Sequence, residues 1–297
     1  PLYEMVNFVE CPRDAMQGLH DFIPTERKVT YLNLLLKAGF DTLDFGSFVS
    51  PKAIPQLADT AKVLEQLDLD SLPANKKERT KLLAIIGNTR GANDACNFEQ
   101  IDLLGFPFSI SNTFQQRNLN SSIQDSFDRL LDINSICQKH NKELVAYISM
   151  GFGNPYDEPW NSEIVGEWAS KMADNGVKLI ALADTIGVAN PESISYLFSN
   201  LITQYPDVEF GAHFHTTPDT WLEKIEAAWK NGCNRFDGAM MGMGGCPMAK
   251  DDLTGNMAME NILQYFNTND PQSTNQLDKE AVRESLRYAR NLFTTYQ

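Results

Sequence analysis

The chain has 297 residues, 42% of them hydrophobic and 22% charged, with a formal net charge of −14. This composition suits a soluble globular protein with a substantial core, and the negative balance argues against non-specific binding to nucleic acid or to anionic membranes. The longest apolar runs are strand-sized, so no signal peptide or membrane span is expected, and the opening at Pro1 fits loss of an initiator Met or a short leader.

Strands and helices are expected to alternate from end to end. Met5–Glu10 is a short apolar strand leading into Cys11-Pro12-Arg13-Asp14. A loop at Gln17–Pro24 precedes a helix over Thr25–Ala38, whose stripe is Val29, Leu32, Leu35 and Leu36 and whose stop is Gly39. Thr42–Phe45 is the second strand, followed by Ser47-Phe-Val-Ser50-Pro51-Lys52 and a helix over about Pro55–Gln66. Asp68–Arg79 is polar and reads as loop, Lys81–Ile86 as the third strand and Gln100–Phe106 as the fourth. Ser121–His140 is a long helix with Ile123, Phe127, Leu130, Leu131 and Ile136 toward the core.

Leu144–Ser149 is the fifth strand, opening into Gly151-Phe-Gly153-Asn-Pro155. The next helix ends at Asn175-Gly176, and Val177–Ala183 is the sixth strand. Asn190-Pro191-Glu192 supplies a cap, a proline at the first helical position and an acid in the first turn, so a helix starts there. Glu209–Pro218 contains the seventh strand, then a helix runs from Asp219 to Asn231-Gly232, and Arg235–Ala239 is the eighth strand. The loop Met241–Gly255 leads to a helix over Asn256–Phe266, and Lys279–Tyr296 is a terminal helix.

Three helices close on Ala38-Gly39, Asn175-Gly176 or Asn231-Gly232, and the strands that follow meet Asp44, Asp184 and Asp237. Eight strands alternating with helices over about 250 residues predict an α/β protein of the (β/α)8 TIM-barrel class. It is expected as one catalytic domain over 1–297, with the barrel at about 4–266 and a C-terminal helical extension at about 267–297. A doubly wound sheet is the alternative, but no Gly-x-Gly-x-x-Gly follows the first strand. The five cysteines, at 11, 96, 137, 233 and 246, lack metal-like spacing and read as reduced thiols of a cytoplasmic protein.

Catalytic groups of such a barrel gather at the carboxyl ends of its strands. Arg13, Asp14 and Gln17 stand there after the first strand, Asp44 and Ser47 at the second, and Asp184 and Thr185 at the sixth. His213 and His215, two apart on the seventh strand, point to the same side. The last loop offers Gly244-Gly245-Cys246-Pro247, Lys250 and Asn256. Strands one and seven are separated only by strand eight, so Asp14 can meet both histidines. Two imidazoles, a carboxylate and an amide oxygen make a mixed nitrogen and oxygen set suited to Mg²⁺ or Mn²⁺, with Zn²⁺ or Fe²⁺ as rivals. Singly, each group also fits a structural role: the histidines as a core pair, Asp14 as a turn cap, Asn256 as a helix N-cap and Asp184 as a loop acid. Their convergence on one rim favours the metal. Cys246, between glycines and a proline beside that rim, is expected to face substrate.

The segments Glu10-Cys-Pro-Arg-Asp14-Ala-Met-Gln17, Ser47-Phe-Val-Ser-Pro-Lys52, Asp184-Thr-Ile-Gly187, His213-Phe-His215, Gly244-Gly-Cys-Pro247 and Gly255-Asn256-Met-Ala follow one another as in hydroxymethylglutaryl-CoA lyases. The chain resembles that family over about residues 4 to 266. Ser-Phe-Val-Ser-Pro-Lys and Gly-Gly-Cys-Pro are fairly specific to it. The Arg-Asp pair and His-x-His are shared with the wider group of metal-dependent TIM-barrel lyases and Claisen-type synthases. The resemblance implies that Asp14, His213, His215 and Asn256 bind Mg²⁺ or Mn²⁺ and that Arg13 stabilises an enolate. Cys246 would lie in a flexible loop over the site, with Asp44, Asp184 and Glu260 assisting around it. Gln17, Ser47 and Lys52 are the expected acyl-CoA contacts, with Lys52 or Lys250 a candidate for a CoA phosphate. The chain departs from the pattern at Ala15-Met16, at Thr216-Thr-Pro-Asp219 and at Asp44, where Glu is usual.

The implied activity is cleavage of 3-hydroxy-3-methylglutaryl-CoA to acetyl-CoA and acetoacetate. Alternatives are a Claisen-type synthase of the isopropylmalate or homocitrate kind and a non-catalytic barrel. The expected partners are an acyl-CoA small molecule and a second copy in a homodimer, with no nucleic acid and no membrane. Retro-aldol cleavage needs the C3 hydroxyl proton removed, which at pH 7 is uphill by about 12 kcal/mol if water's pKa stands in for the alcohol's. A positioned base alone offers about 3–5 kcal/mol, so a metal is expected to supply the rest.

Overall fold

In the computed structural model, which describes residues 4–246, 249 and 253–297, the alternating strands close on themselves. The ring consists of β1 (Asn7–Glu10), β2 (Thr42–Ser47), β3 (Lys81–Ile85), β4 (Ile101–Ser109), β5 (Glu143–Ser149), β6 (Leu179–Asp184), β7 (Glu209–Thr216) and β8 (Arg235–Gly238). All neighbours are parallel and follow sequence order, and β8 pairs with β1, Asn7 opposite Arg235. This closure is the TIM barrel expected, and it rules out the open doubly wound sheet. A short β9 (Gly255–Asn256) adds antiparallel to the end of β7, with Asn256 opposite His215.

Alternation sorts the strand side chains into two layers. Leu83, Ile85, Leu103, Val145, Tyr147, Leu179 and Ala181 form a separate buried cluster inside the ring. Their neighbours Leu82, Ala84, Leu104, Ala146, Ile180 and Leu182 face outward into the main core beneath the helices. His213 and His215 share the inward parity of Gly211, whereas Phe210, Ala212 and Phe214 join the outer core. The inside of the barrel is therefore apolar near β3–β6 and carries its charges near β1, β2, β7 and β8.

Helices cover the ring: α1 (Pro12–Gln17), α2 (Thr25–Ala38), α3 (Thr60–Leu64), α4 (Thr89–Cys96), α5 (Asn112–Leu119), α6 (Ile123–Lys139), α7 (Ser162–Asp174), α8 (Pro191–Gln204), α9 (Trp221–Lys230), α10 (Met259–Asn269), α11 (Pro271–Thr274) and α12 (Lys279–Thr295). On α2, Tyr31, Leu32, Leu35 and Leu36 are buried, each worth about 1.5–3 kcal/mol against exposure. The helix ends at Gly39, whose positive φ of 86° makes the left-handed cap. Asn190 caps α8 by accepting from Ser193, whose hydroxyl accepts from Asn190 in return. Tyr31 stacks on Tyr288 of α12 at 6.0 Å, tying the last helix to α2.

Four differences from the sequence reading have local causes. The helix expected over Pro55–Gln66 breaks into a 3₁₀ turn at Pro55–Leu57 and the short α3, because the Asp59 carboxylate accepts from Thr25 and Lys28 instead of capping the helix. The fourth strand continues to Ser109. Helices α1, α4 and α5 stand where no element was expected, with Asn88 and Ser111 capping α4 and α5, while α11 falls within the expected C-terminal helical extension. Asn256 does not start a helix; it lies in β9, and α10 begins at Met259. Among the described residues, no helix is long and apolar enough to cross a membrane.

Candidate active site

Pro12 at the first helical position starts α1 directly after β1, and this six-residue helix sets Arg13 and Asp14 at the carboxyl mouth of the barrel. Arg13 is held from two sides. Its Nε and one terminal nitrogen donate to Asp44 of β2 at 3.1 and 2.8 Å, and the other terminal nitrogen donates to Gln17 at 2.7 Å. Asp14 lies 3.5 Å from the same guanidinium. Burial opposes ionisation of both groups. For Arg13 the carboxylates of Asp44 and Asp14 outweigh it and push the pKa up; for Asp14, Arg13 and the histidines outweigh it and hold the carboxyl well below its usual range.

The two imidazoles are oriented by different partners. His213 Nδ1 is 2.8 Å from Asp237 on the adjacent β8, and its Nε2 is 3.6 Å from Asp14. Burial lowers its pKa, but the hydrogen bonds and charges of Asp14 and Asp237 raise it to about 10. His215 Nδ1 is 2.7 Å from the Thr185 carbonyl, which can only accept, so Nδ1 carries the proton and Nε2 presents its lone pair. That Nε2 is buried without a hydrogen-bond partner. Burial and then the neighbouring His213 lower the pKa of His215, keeping it neutral. One ligand atom each from Asp14, His213 and His215 lie within 4.8 Å of one another. A carboxylate and two imidazoles, one of them with an orphaned buried nitrogen, fit a divalent cation.

Behind Asp14 stands β9. Asn256 donates its amide nitrogen to Asp14 at 2.9 Å and to the Met243 carbonyl at 2.8 Å. Here glycine is required at position 244: a Cβ would fall 2.6 Å from the Asn256 amide and 2.8 Å from the Asp14 carbonyl, and φ is +88°. The loop starts under similar restraint. Glu10 accepts from the Met240 backbone at 2.9 Å and Glu260 from the Met241 backbone at 2.9 Å, with Met241 in the left-handed region at φ 65°.

A cavity of about 500 Å³ opens at this mouth. Arg13, Asp14, Gln17, His213, His215 and Cys246 contribute its chemistry, and Val49, Ile54, Phe114 and Leu119 its apolar wall. The remaining expected residues lie elsewhere. Ser47 is buried at the end of β2, its hydroxyl accepting from the Val49 amide, and Lys52 is exposed on the adjoining loop. Asp184 turns away from the cavity to a buried ion pair with Lys224 at 2.8 Å and accepts from the Val188 and Ala189 amides. Glu260 supports the loop backbone and does not reach the cavity. Pro247 and Lys250 lie outside the described residues. Two participants were not anticipated. Asp237 had stood out only as a strand-end acid, and the Thr185 carbonyl leaves no side-chain signal at all.

A closed parallel barrel with Asp, His and His at its carboxyl mouth defines a TIM-barrel protein whose rim groups could hold a divalent cation. The family model described as HMGL-like matches residues 6–287, and the chain belongs to the HMGL-like family. The hydroxymethylglutaryl-CoA lyase YngG of Bacillus subtilis is 32% identical over 276 residues, covering 90% of this chain and 87% of that protein. A crystal structure of the Bacillus subtilis HMG-CoA lyase superposes with a TM-score of 0.87 at 30% identity, covering 97% of this chain and 93% of that one. An Acinetobacter baumannii HMG-CoA lyase in complex with coenzyme A and 3-methylmalate gives 0.85 at 26% identity, covering 98% and 92%.

Proposed function

We propose that the protein is a divalent-metal-dependent carbon–carbon lyase cleaving 3-hydroxy-3-methylglutaryl-CoA to acetyl-CoA and acetoacetate. The reading rests on the meeting of Asp14, His213 and His215 with Arg13 in one cavity, in a chain whose relatives are lyases of this name. The coenzyme A held by the Acinetobacter baumannii relative supports an acyl-CoA substrate. These relatives do not favour the Claisen-type synthase or the non-catalytic barrel.

Cleavage breaks the C2–C3 bond. The C3 hydroxyl loses its proton and becomes the ketone of acetoacetate, and the bond's electron pair becomes the enolate of acetyl-CoA, which then takes up a proton. Asp14, His213 and His215 would hold Mg²⁺ or Mn²⁺, with Asn256 completing the set through its amide oxygen. When bound, the ion lowers the pKa of a coordinated oxygen acid by several units and offsets the negative charge it acquires. Arg13, fixed by Asp44 and Gln17, offers a positive charge that matters most as the enolate forms. Cys246 brings a thiol to the cavity wall, an acid able to return the proton to the enolate carbon.

Gln17 within the cavity and Lys52 on the exposed loop would meet the acyl-CoA, and Ser47 would act on it through the backbone of that loop. Asp184 and Glu260 would serve by shaping the loops around the cavity. The cysteines at 11, 96, 137, 233 and 246, read as reduced thiols, support a cytoplasmic setting, and a homodimer, measurable by light scattering, completes the reading. The test is a coupled assay for acetoacetate release from hydroxymethylglutaryl-CoA with Mn²⁺, with Mg²⁺ and with EDTA. Release that depends on the ion is expected; none with either ion would overturn the assignment.

A further inference from the structure

His213 has two nitrogens, and only Nε2 faces the first ion site. Its Nε2 faces Asp14, whereas Nδ1 faces Asp237 on the adjacent β8. A second donor set meets there: one ligand atom each from Cys11, His213 and Asp237 lie within 4.8 Å of one another. We propose that Cys11, His213 Nδ1 and Asp237 form a second metal site, selective for a thiophilic divalent ion such as Zn²⁺, which shares one imidazole with the first. Its existence does not depend on the lyase assignment.

The donors suit that ion. Sulfur, imidazole nitrogen and carboxylate oxygen are the three ligand types of tetrahedral Zn²⁺, with water taking the fourth position. At ordinary Zn²⁺ bond lengths these atoms stand roughly 3.3–3.6 Å apart, so separations of up to 4.8 Å close with shifts of about 1 Å. Thiolate selects against Mg²⁺ and Mn²⁺, which prefer oxygen. The scaffold is stiff, because the three residues come from the end of β1, from β7 and from β8, which are consecutive in the ring. Cys11 and Asp237 are buried, and a water-poor setting strengthens the attraction between carboxylate and ion.

The fold itself makes little use of the sulfur. Cys11 sits at the N-cap of α1 but gives it no side-chain hydrogen bond, and its thiol makes only a 3.8 Å contact with the Val9 carbonyl. Binding would release the thiol proton and the Nδ1 proton to solvent. It would also take Asp237 away from its task of orienting His213. The second ion is therefore inhibitory, and excess Mn²⁺ relieves the inhibition only in part, because the two ions share a single ligand.

The experiment titrates the full-length, metal-stripped protein with Cd²⁺ and follows thiolate-to-metal charge-transfer absorption, a readout that needs no turnover. The wild type and Cys246→Ala are expected to show the band, and Cys11→Ser to lose it. In parallel, Zn²⁺ inhibition should weaken by at least about tenfold in Cys11→Ser, with the Mn²⁺-supported rate retained. Absence of the band in the wild type, its survival in Cys11→Ser, or its loss in Cys246→Ala alone would overturn the proposal. Should Cys11→Ser fail to fold, Asp237→Asn keeps the thiol and is expected to bind Cd²⁺ more weakly; unchanged Cd²⁺ affinity there would refute the site equally.

Discussion

Both ends of the barrel carry charged groups and use them differently. At the amino-terminal end a cavity of about 410 Å³ is lined by Lys76, Arg79, Arg235, Asp41 and Glu209. There Lys76 meets Asp41 at 2.6 Å, Arg79 meets Asp102 at 2.9 Å, and Arg235 lies 3.8 Å from Glu209. At the carboxyl end Asp14 is gripped from three directions while His215 Nε2 is left buried and unanswered. Balanced pairs hold a structure together; an orphaned, buried lone pair reserves a place for something else. Cavity size does not separate the two ends, whereas the state of the individual polar atoms does.

Substitutions at each end can break or sharpen this contrast. The largest effect is expected from His215→Ala, which should abolish ion-dependent acetoacetate release while circular dichroism still reports a folded barrel; wild-type turnover would remove His215 from the ion site. Arg13→Met should cost about 10²–10³ in kcat with little change in KM, the signature of charge stabilised only as the bond breaks. A change confined to KM would instead make Arg13 a substrate-binding group. Asp237→Asn should weaken Mn²⁺ binding by about 10–100-fold through loss of the His213 orientation, as measured by calorimetry. At the other end, Arg79→Ala should leave turnover unaltered and lower stability by no more than about 1 kcal/mol in a denaturant melt, since the pair with Asp102 is partly exposed. A marked loss of activity from Arg79→Ala would show the two ends to be coupled.

The parts of this protein that could be read in advance are those governed by short-range periodicity. Strand alternation by itself puts His213 and His215 on one face, and the helix expected over Thr25–Ala38 has the bounds found for α2. What could not be read depends on distant partners. Helix α5 buries only Gln115 along its length, so it has almost no apolar stripe to announce it. Asn256 looked like a helix cap by local chemistry, but backbone pairing with His215 and Thr216 of β7 draws Gly255 and Asn256 into a strand. Asp237 was visible as an acid, yet its bond to His213 exists only because β7 and β8 lie side by side. The Thr185 carbonyl, which sets the tautomer of His215, belongs to the backbone, and residue type says nothing of it.

Arg13 and Asp14 are consecutive residues of one short helix anchored to β2 through Asp44 and to β9 through Asn256. The group that would meet the enolate and the group that would grip the cation are thus a single rigid lever. Tilting it to re-aim one must displace the other, so a substrate demanding a new spacing between them would have to be accommodated by moving the imidazoles' side of the barrel.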